Sequence, residues 1–222
     1  MKTAFLTTTF LVMMALLAAC DEAPKGGGGQ SETTVALAAP GGTFSATLMF
    51  VVDRSAESAT IDPHKGRSRL QIAVDHACQN IAPLTDNVLF QVMSYGDPTT
   101  ETLFATFRPA TAHAKAVAIS YLQSLTPLGP SPQHTALYTA TRIAPPDLNI
   151  MYYYSASVPG ADPLASGGVA TYPEILAEFP AWWVSFIDAQ LLAIRVGDTP
   201  ASHNSFMMDL AALAGGSYIN LQ

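Results

Sequence analysis

The sequence predicts an α/β domain, a doubly wound and mostly parallel sheet with helices on both faces and a short antiparallel edge strand. Three observations predict it. Near-continuous apolar runs of strand length recur along the chain, stretches with helical apolar spacing separate them, and Gly, Pro, Asn and Asp mark many of the joins.

The first run is Ala46-Thr47-Leu48-Met49-Phe50-Val51-Val52, which ends at Asp53 and has the composition of a central strand covered on both faces. Val88 to Met93 is the second, opened by Asp86-Asn87 and closed by the turn Gly96-Asp97-Pro98. Thr102 to Phe107 alternates less cleanly, as a short edge strand does. Leu148 to Tyr154 and Leu191 to Val196 repeat the apolar theme, and Ser217 to Leu221 returns as a last short strand.

Between the strands, Leu70, Ala73, Val74, Ala77, Cys78 and Ile81 fall on one face of a helix over Arg69 to Ile81. Cys78 is thereby a small core residue, and His76 points the other way, to solvent. Ala114, Val117, Ala118, Tyr121, Leu122 and Leu125 form the stripe of the next helix, with His113 and Lys115 facing water. A shorter helix over Thr135 to Ile143 follows the Pro- and Gly-rich Pro127 to Pro132. Tyr172 to Asp188 forms another, kinked or split at Pro180. Ser205 to Ala214 is the last helix, stopped by Gly215-Gly216.

The N-terminus follows rules of export instead. Lys2 precedes an apolar stretch from Ala4 to Leu17 that ends in Leu17-Ala18-Ala19-Cys20, the pattern of a bacterial lipobox. Residues 1–19 therefore read as a lipoprotein signal peptide and Cys20 as the lipid attachment point, carrying fatty acyl chains such as palmitate. Residues 20–43 read as the lipidated Cys and a flexible tether around Gly26 to Gly29, and 44–222 as the folded domain. The expected location is the bacterial cell envelope, with the domain on the exported side of a membrane. The net charge of −7 carries no basic patch, which excludes nucleic acid as a partner. With Cys20 lipidated, Cys78 stands alone and no disulfide framework is possible.

The element order, with an Asp closing the first strand, resembles the von Willebrand factor type A domain across the whole exported region. Four stretches carry the resemblance. They are Phe50-Val51-Val52-Asp53-Arg54-Ser55, Asp86-Asn87-Val88, Thr135-Ala136-Leu137, and Leu192 to Gly197 followed by Leu210 to Gly216. The resemblance implies a divalent-cation site at the carboxyl edge of the sheet, where Asp-x-Ser-x-Ser, a Thr from a second loop and an Asp from a third surround Mg²⁺ or a similar ion. Asp53, Ser55 and Thr135 match three of the five positions. Glu57 stands where the second serine belongs, Ser155 where the third-loop Asp belongs, and Gln133-His134 replaces the pattern's Gly-Gly, so the site is degenerate.

The expected function is binding rather than catalysis. A membrane-tethered domain captures an envelope protein or peptide through a rim that includes Glu57, His134, Ser155 and Asp162, with no cofactor required. The alternative is a divalent-metal-dependent, adhesin-like binding domain. A serine hydrolase built from Ser155, His134 and Asp53 would need those three within hydrogen-bond reach, and no Gly-x-Ser-x-Gly turn surrounds Ser155.

Overall fold

A computed structural model describes residues 45–96, 99–165 and 167–222; the expected signal peptide, the Cys20 expected to carry lipid and the expected tether lie outside the described residues. Seven strands form one sheet. They are β1 (Ala46–Asp53), β2 (Val88–Tyr95), β3 (Thr100–Thr102), β4 (Arg108–Pro109), β5 (Ile150–Ser155), β6 (Gln190–Val196) and β7 (Ser217–Leu221). Their order is β3-β2-β1-β5-β6-β7, with β4 also on β2. The pairs β1–β2, β1–β5, β5–β6 and β6–β7 are parallel, and β3 and β4 run antiparallel to β2. The sheet is the doubly wound, Rossmann-like one the apolar runs predict.

Among the described residues five helices cover it: α1 (Arg69–Ile81), α2 (Ala112–Ser124), α3 (Gln133–Ile143), α4 (Tyr172–Trp183) and α5 (Ala201–Leu213). The period of two along β1 splits the core into halves. Leu48, Phe50 and Val52 pack with residues of α1 and α2. Met49 and Val51 face the opposite way, with residues of α3, α4 and α5. Every residue of β1 is buried, which is why that strand reads as an unbroken apolar run.

The edge strand differs in its bounds from the predicted Thr102 to Phe107. The ladder ends early because Gln91 turns its side chain along the strand. Its Oε1 accepts from the Phe104 N–H at 3.1 Å, and its Nε2 donates to the Phe104 carbonyl at 2.7 Å. One side chain thereby substitutes for the backbone partner, and the chain leaves the sheet until Arg108 pairs with Phe90. Two surface expectations also change. His76 is half-buried, its Nδ1 3.0 Å from the Tyr154 hydroxyl. Lys115 reaches back to the end of α1, donating to the carbonyls of Ala82 and Leu84 at 2.8 and 2.7 Å. Helix α4 runs through Pro180 and ends at Trp183, short of Asp188.

Glycine settles how α5 meets the sheet. Gly215 has φ +63, the left-handed conformation that ends a helix. Gly216 then passes so close to β6 that a Cβ there would lie 1.9 Å from the Leu191 carbonyl oxygen.

Candidate functional site

The carboxyl ends of β1, β5 and β6 open onto three loops, 54–68, 156–171 and 197–200, joined by the 125–132 segment that leads into α3. Backbone hydrogen bonds stitch these segments together. Leu128 N–H donates to the Arg54 carbonyl at 2.7 Å, Ala56 N–H to that of Gly129 at 2.8 Å, and Gly160 N–H to that of Ser131 at 2.8 Å.

Asp53 is the centre of the junction and is buried. Its Oδ1 accepts from the Ser55 N–H at 2.8 Å. Its Oδ2 accepts from the Ala156 N–H at 3.0 Å, the Ser157 hydroxyl at 2.6 Å and, more loosely, the Ser131 hydroxyl at 3.4 Å. Ser55 in turn donates to Ser157 Oγ at 3.1 Å. A buried carboxylate needs donors of this kind to offset its lost hydration. Beneath it, Tyr95 bridges to the Tyr153 hydroxyl at 3.1 Å and the Tyr154 carbonyl at 3.0 Å. Burial first, and then the negative charge of Asp53, hold the Tyr95 hydroxyl well above its usual range.

A second network forms around Asp162. Helix α3 starts after Pro132, which offers no side-chain cap. Asp162, from the loop after β5, supplies one across 27 residues of sequence. Its Oδ2 accepts from the Thr135 N–H at 3.0 Å, and its Oδ1 from the Thr135 hydroxyl at 2.5 Å and the Leu164 N–H at 3.1 Å. A carboxylate at a helix N-terminus satisfies orphan N–H groups and complements the helix dipole.

A third network ties loop 54–68 to β6. Asp62 accepts from the N–H groups of His64 and Lys65 at 2.9 Å each, and from Asp198 N–H at 3.2 Å. Burial pushes its carboxyl up, but those backbone donors outweigh the burial and hold it below its usual value. Arg69 spans from α1 to the Ala156 carbonyl at 2.9 Å and to the Asp198 carbonyl. Only a glycine fits beside it, since a Cβ on Gly197 would stand 2.8 Å from Arg69 Cγ.

Of the residues singled out in the sequence, Asp53 and Ser55 are brought together, whereas Thr135 belongs to the Asp162 network. Ser155 is buried, accepts from Gln133 Nε2 at 3.1 Å, and has no hydrogen bond to Asp53. His134 turns toward α4, where its Nε2 lies 3.1 Å from Glu178 Oε2 and its ring meets Trp182 edge-on at 4.9 Å. Ser155 and Asp53 share Ser157, whose carbonyl accepts from the Ser155 hydroxyl at 3.4 Å and whose hydroxyl donates to Asp53, but among the described residues no hydrogen bond joins Ser155, His134 and Asp53 to one another. Glu57 is exposed, on a short 3-10 helix (Ala56–Ala59), and its charge, after burial, lifts the Tyr172 hydroxyl. Asp162 is buried and committed to the frame of the rim. The sequence reading missed Ser131 and the roles of Gln133 and Ser157. The available signal was Ser155-Ala156-Ser157, a two-residue spacing that mirrors Asp53-Arg54-Ser55 on the neighbouring strand.

Solved structures share this fold. A von Willebrand factor type A protein from Catenulispora acidiphila superposes with a TM-score of 0.60 at 16% identity, covering 80% of this chain and 38% of that one. The fold is that of the von Willebrand factor type A domain. The PilB minor pilin from Streptococcus sanguinis matches this VWA fold at 12% identity and TM-score 0.60, over 81% of this chain and 57% of the pilin. An aerotolerance-related membrane protein from Bacteroides fragilis matches at 14% and 0.58, over 80% of this chain and 92% of its own. The chain therefore spans under two thirds of the first two. No protein-family model and no curated protein matches the sequence.

Proposed function

We propose that this chain is a lipid-anchored envelope protein whose VWA domain captures another protein through the loops at the carboxyl edge of its sheet. One observation carries the reading. Those loops expose Ile61 (59%), Leu128 (46%), Leu164 (49%) and Val169 (52%), while the polar groups beneath them are turned inward on one another. Large apolar side chains on loops that are held in place by a hydrogen-bonded floor suit a partner interface. A binding role without catalysis is supported by His134 turning to Glu178 on α4, away from Ser155 and Asp53. The lipobox ending in Cys20, and structural neighbours that include a minor pilin and a membrane protein, favour an envelope setting.

The experiment is capture from native envelopes by the lipidated protein, with recovered proteins identified by mass spectrometry. Ile61→Asp with Leu164→Asp should reduce recovery of a specific partner at least tenfold, Glu57→Lys should weaken it, and Gln79→Lys on the exposed face of α1 should leave it unchanged. Val184 and Ile187, exposed after α4, form the competing apolar surface. Loss of capture on Val184→Asp with Ile187→Asp, with the rim variants tolerated, would place the partner elsewhere and defeat the proposal.

A further inference from the structure

The VWA resemblance implies a divalent cation at Asp53, Ser55 and Thr135, and the residues present do not suit one. The three positions are divided between two networks, Asp53 and Ser55 with Ser157, and Thr135 with Asp162. Asp53 already has the N–H groups of Ser55 and Ala156 and the hydroxyls of Ser157 and Ser131 around its two oxygens. Ser58, next to the second serine position, donates instead to the Ser55 carbonyl at 2.6 Å.

We propose that Ser157 and Gln133 close the cation position of this fold, so that hydrogen bonds hold the loop junction together in place of a metal. Ser157 Oγ lies between Ser55 Oγ and Asp53 Oδ2, accepting from the first at 3.1 Å and donating to the second at 2.6 Å. It joins the carboxylate to the serine loop, the task a bound ion would perform. Gln133 stands where the family pattern has glycine, and it is fully buried. Its Nε2 donates to Ser155 Oγ at 3.1 Å and to the Ser157 carbonyl at 2.6 Å, which fastens the loop after β5 beneath the first turn of α3. Among the described residues, its Oε1 is the one buried oxygen of this cluster with no hydrogen bond. A single neutral oxygen does not make a site for Mg²⁺, which takes six oxygens in near-octahedral array.

The test uses the full-length chain and Mn²⁺ as probe, with free Mn²⁺ read from its electron paramagnetic resonance signal, so it is independent of any partner. For the wild type the signal should equal that of buffer up to millimolar Mn²⁺, and the thermal midpoint should be the same in chelator and in Mg²⁺. Saturable binding at one site, lost on Asp53→Asn, would overturn the proposal. In the converse arm, Gln133→Gly with Ser157→Asp clears the position and adds a second carboxylate. That variant should bind Mn²⁺ and be stabilised by Mg²⁺ relative to chelator. Ser157→Asp alone carries the same expectation if the double variant does not fold. A folded variant that leaves all Mn²⁺ free would show that these two side chains are not what closes the position.

Discussion

Asp162→Ala tests whether the rim is held by a frame. The substitution removes the acceptors of the Thr135 N–H, the Thr135 hydroxyl and the Leu164 N–H at once. Loss of a helix N-cap costs about 1 kcal/mol, and a buried donor left without a partner costs about 1–3 kcal/mol. Thr135 is buried, so water replaces the lost acceptors only in part. Because these terms describe the same bonds they do not add, and about 3 kcal/mol is the expected loss. In a domain of this size each 1 kcal/mol moves the midpoint by about 2–4 °C, so the fall should be about 6–12 °C. Differential scanning calorimetry of wild type, Asp162→Ala, Thr135→Val and the double variant provides the measurement. The double variant should be little worse than Asp162→Ala, because both changes delete one interaction. A midpoint for Asp162→Ala within about 1 °C of wild type, or strict additivity with Thr135→Val, would refute the reasoning and return Asp162 to the surface.

His203 gives a pH dependence. It is buried at the start of α5 with Nδ1 2.9 Å from the Tyr172 hydroxyl, and burial, with the positive charges of Arg195 and Arg69 adding to it against the Ser155 backbone, pushes its pKa down from 6.5 to about 4. A base whose folded pKa is depressed binds its proton first in the unfolded chain. The stability it allows is therefore full above pH 6.5 and falls as pH drops toward 4, by about 3 kcal/mol in all. Urea unfolding across that window should show the fall, and His203→Phe, which takes no proton, should flatten it; an unchanged slope in the variant would assign the pH dependence to other groups. Gly216→Ala should destabilise by about 2 kcal/mol or more, since the added methyl meets the Leu191 carbonyl and α5 must shift from β6. A chemical-denaturation midpoint equal to wild type would mean that the packing is looser than the structure has it.

The sheet was legible because its central strands are buried on both faces, and a run such as Leu48 to Val52 has few other ways to fold. The antiparallel edge was legible too, but the bounds of β3 and β4 were not, because they depend on Gln91 substituting for a backbone partner across 13 residues of sequence. The candidate site was half legible. Asp53 and Ser55 are two residues apart at a strand end, and Ser55 N–H bonds Asp53 whatever the rest of the chain does. Asp162 and Thr135 are 27 residues apart, and Ser157 and Asp53 are 104 apart. Such pairings follow from which loops the sheet order brings side by side; beyond its two-residue spacing from Ser155, nothing local marks Ser157 as a frame residue, and nothing local marks Asp162. His134 illustrates the converse error of adjacency, since one residue from Thr135 on a helix is about 100° of rotation, enough to turn it toward α4.

The inward turn of the polar floor bears on what kind of partner the rim takes. A site organised on a hard cation can leave a coordination position for a partner's carboxylate. Here Asp53, Ser55 and Ser157 bond one another, so on the proposed function recognition would fall to the exposed apolar side chains and to the shape of the loops. Fully burying an aliphatic side chain contributes about 1.5–3 kcal/mol. Ile61, Leu128, Leu164 and Val169 are each already about half covered, which leaves about 3–6 kcal/mol between them on the same scale. A micromolar complex needs about 8 kcal/mol net, and ordering both partners costs several more. The four rim residues therefore do not hold a short apolar peptide tightly by themselves. A partner that binds here must extend beyond them, toward the 800 Å² or so per side of a stable protein interface, which the neighbouring loops around Glu57 and Lys65 are placed to supply. On the proposed function, that favours a folded protein over a short peptide as the occupant of this edge.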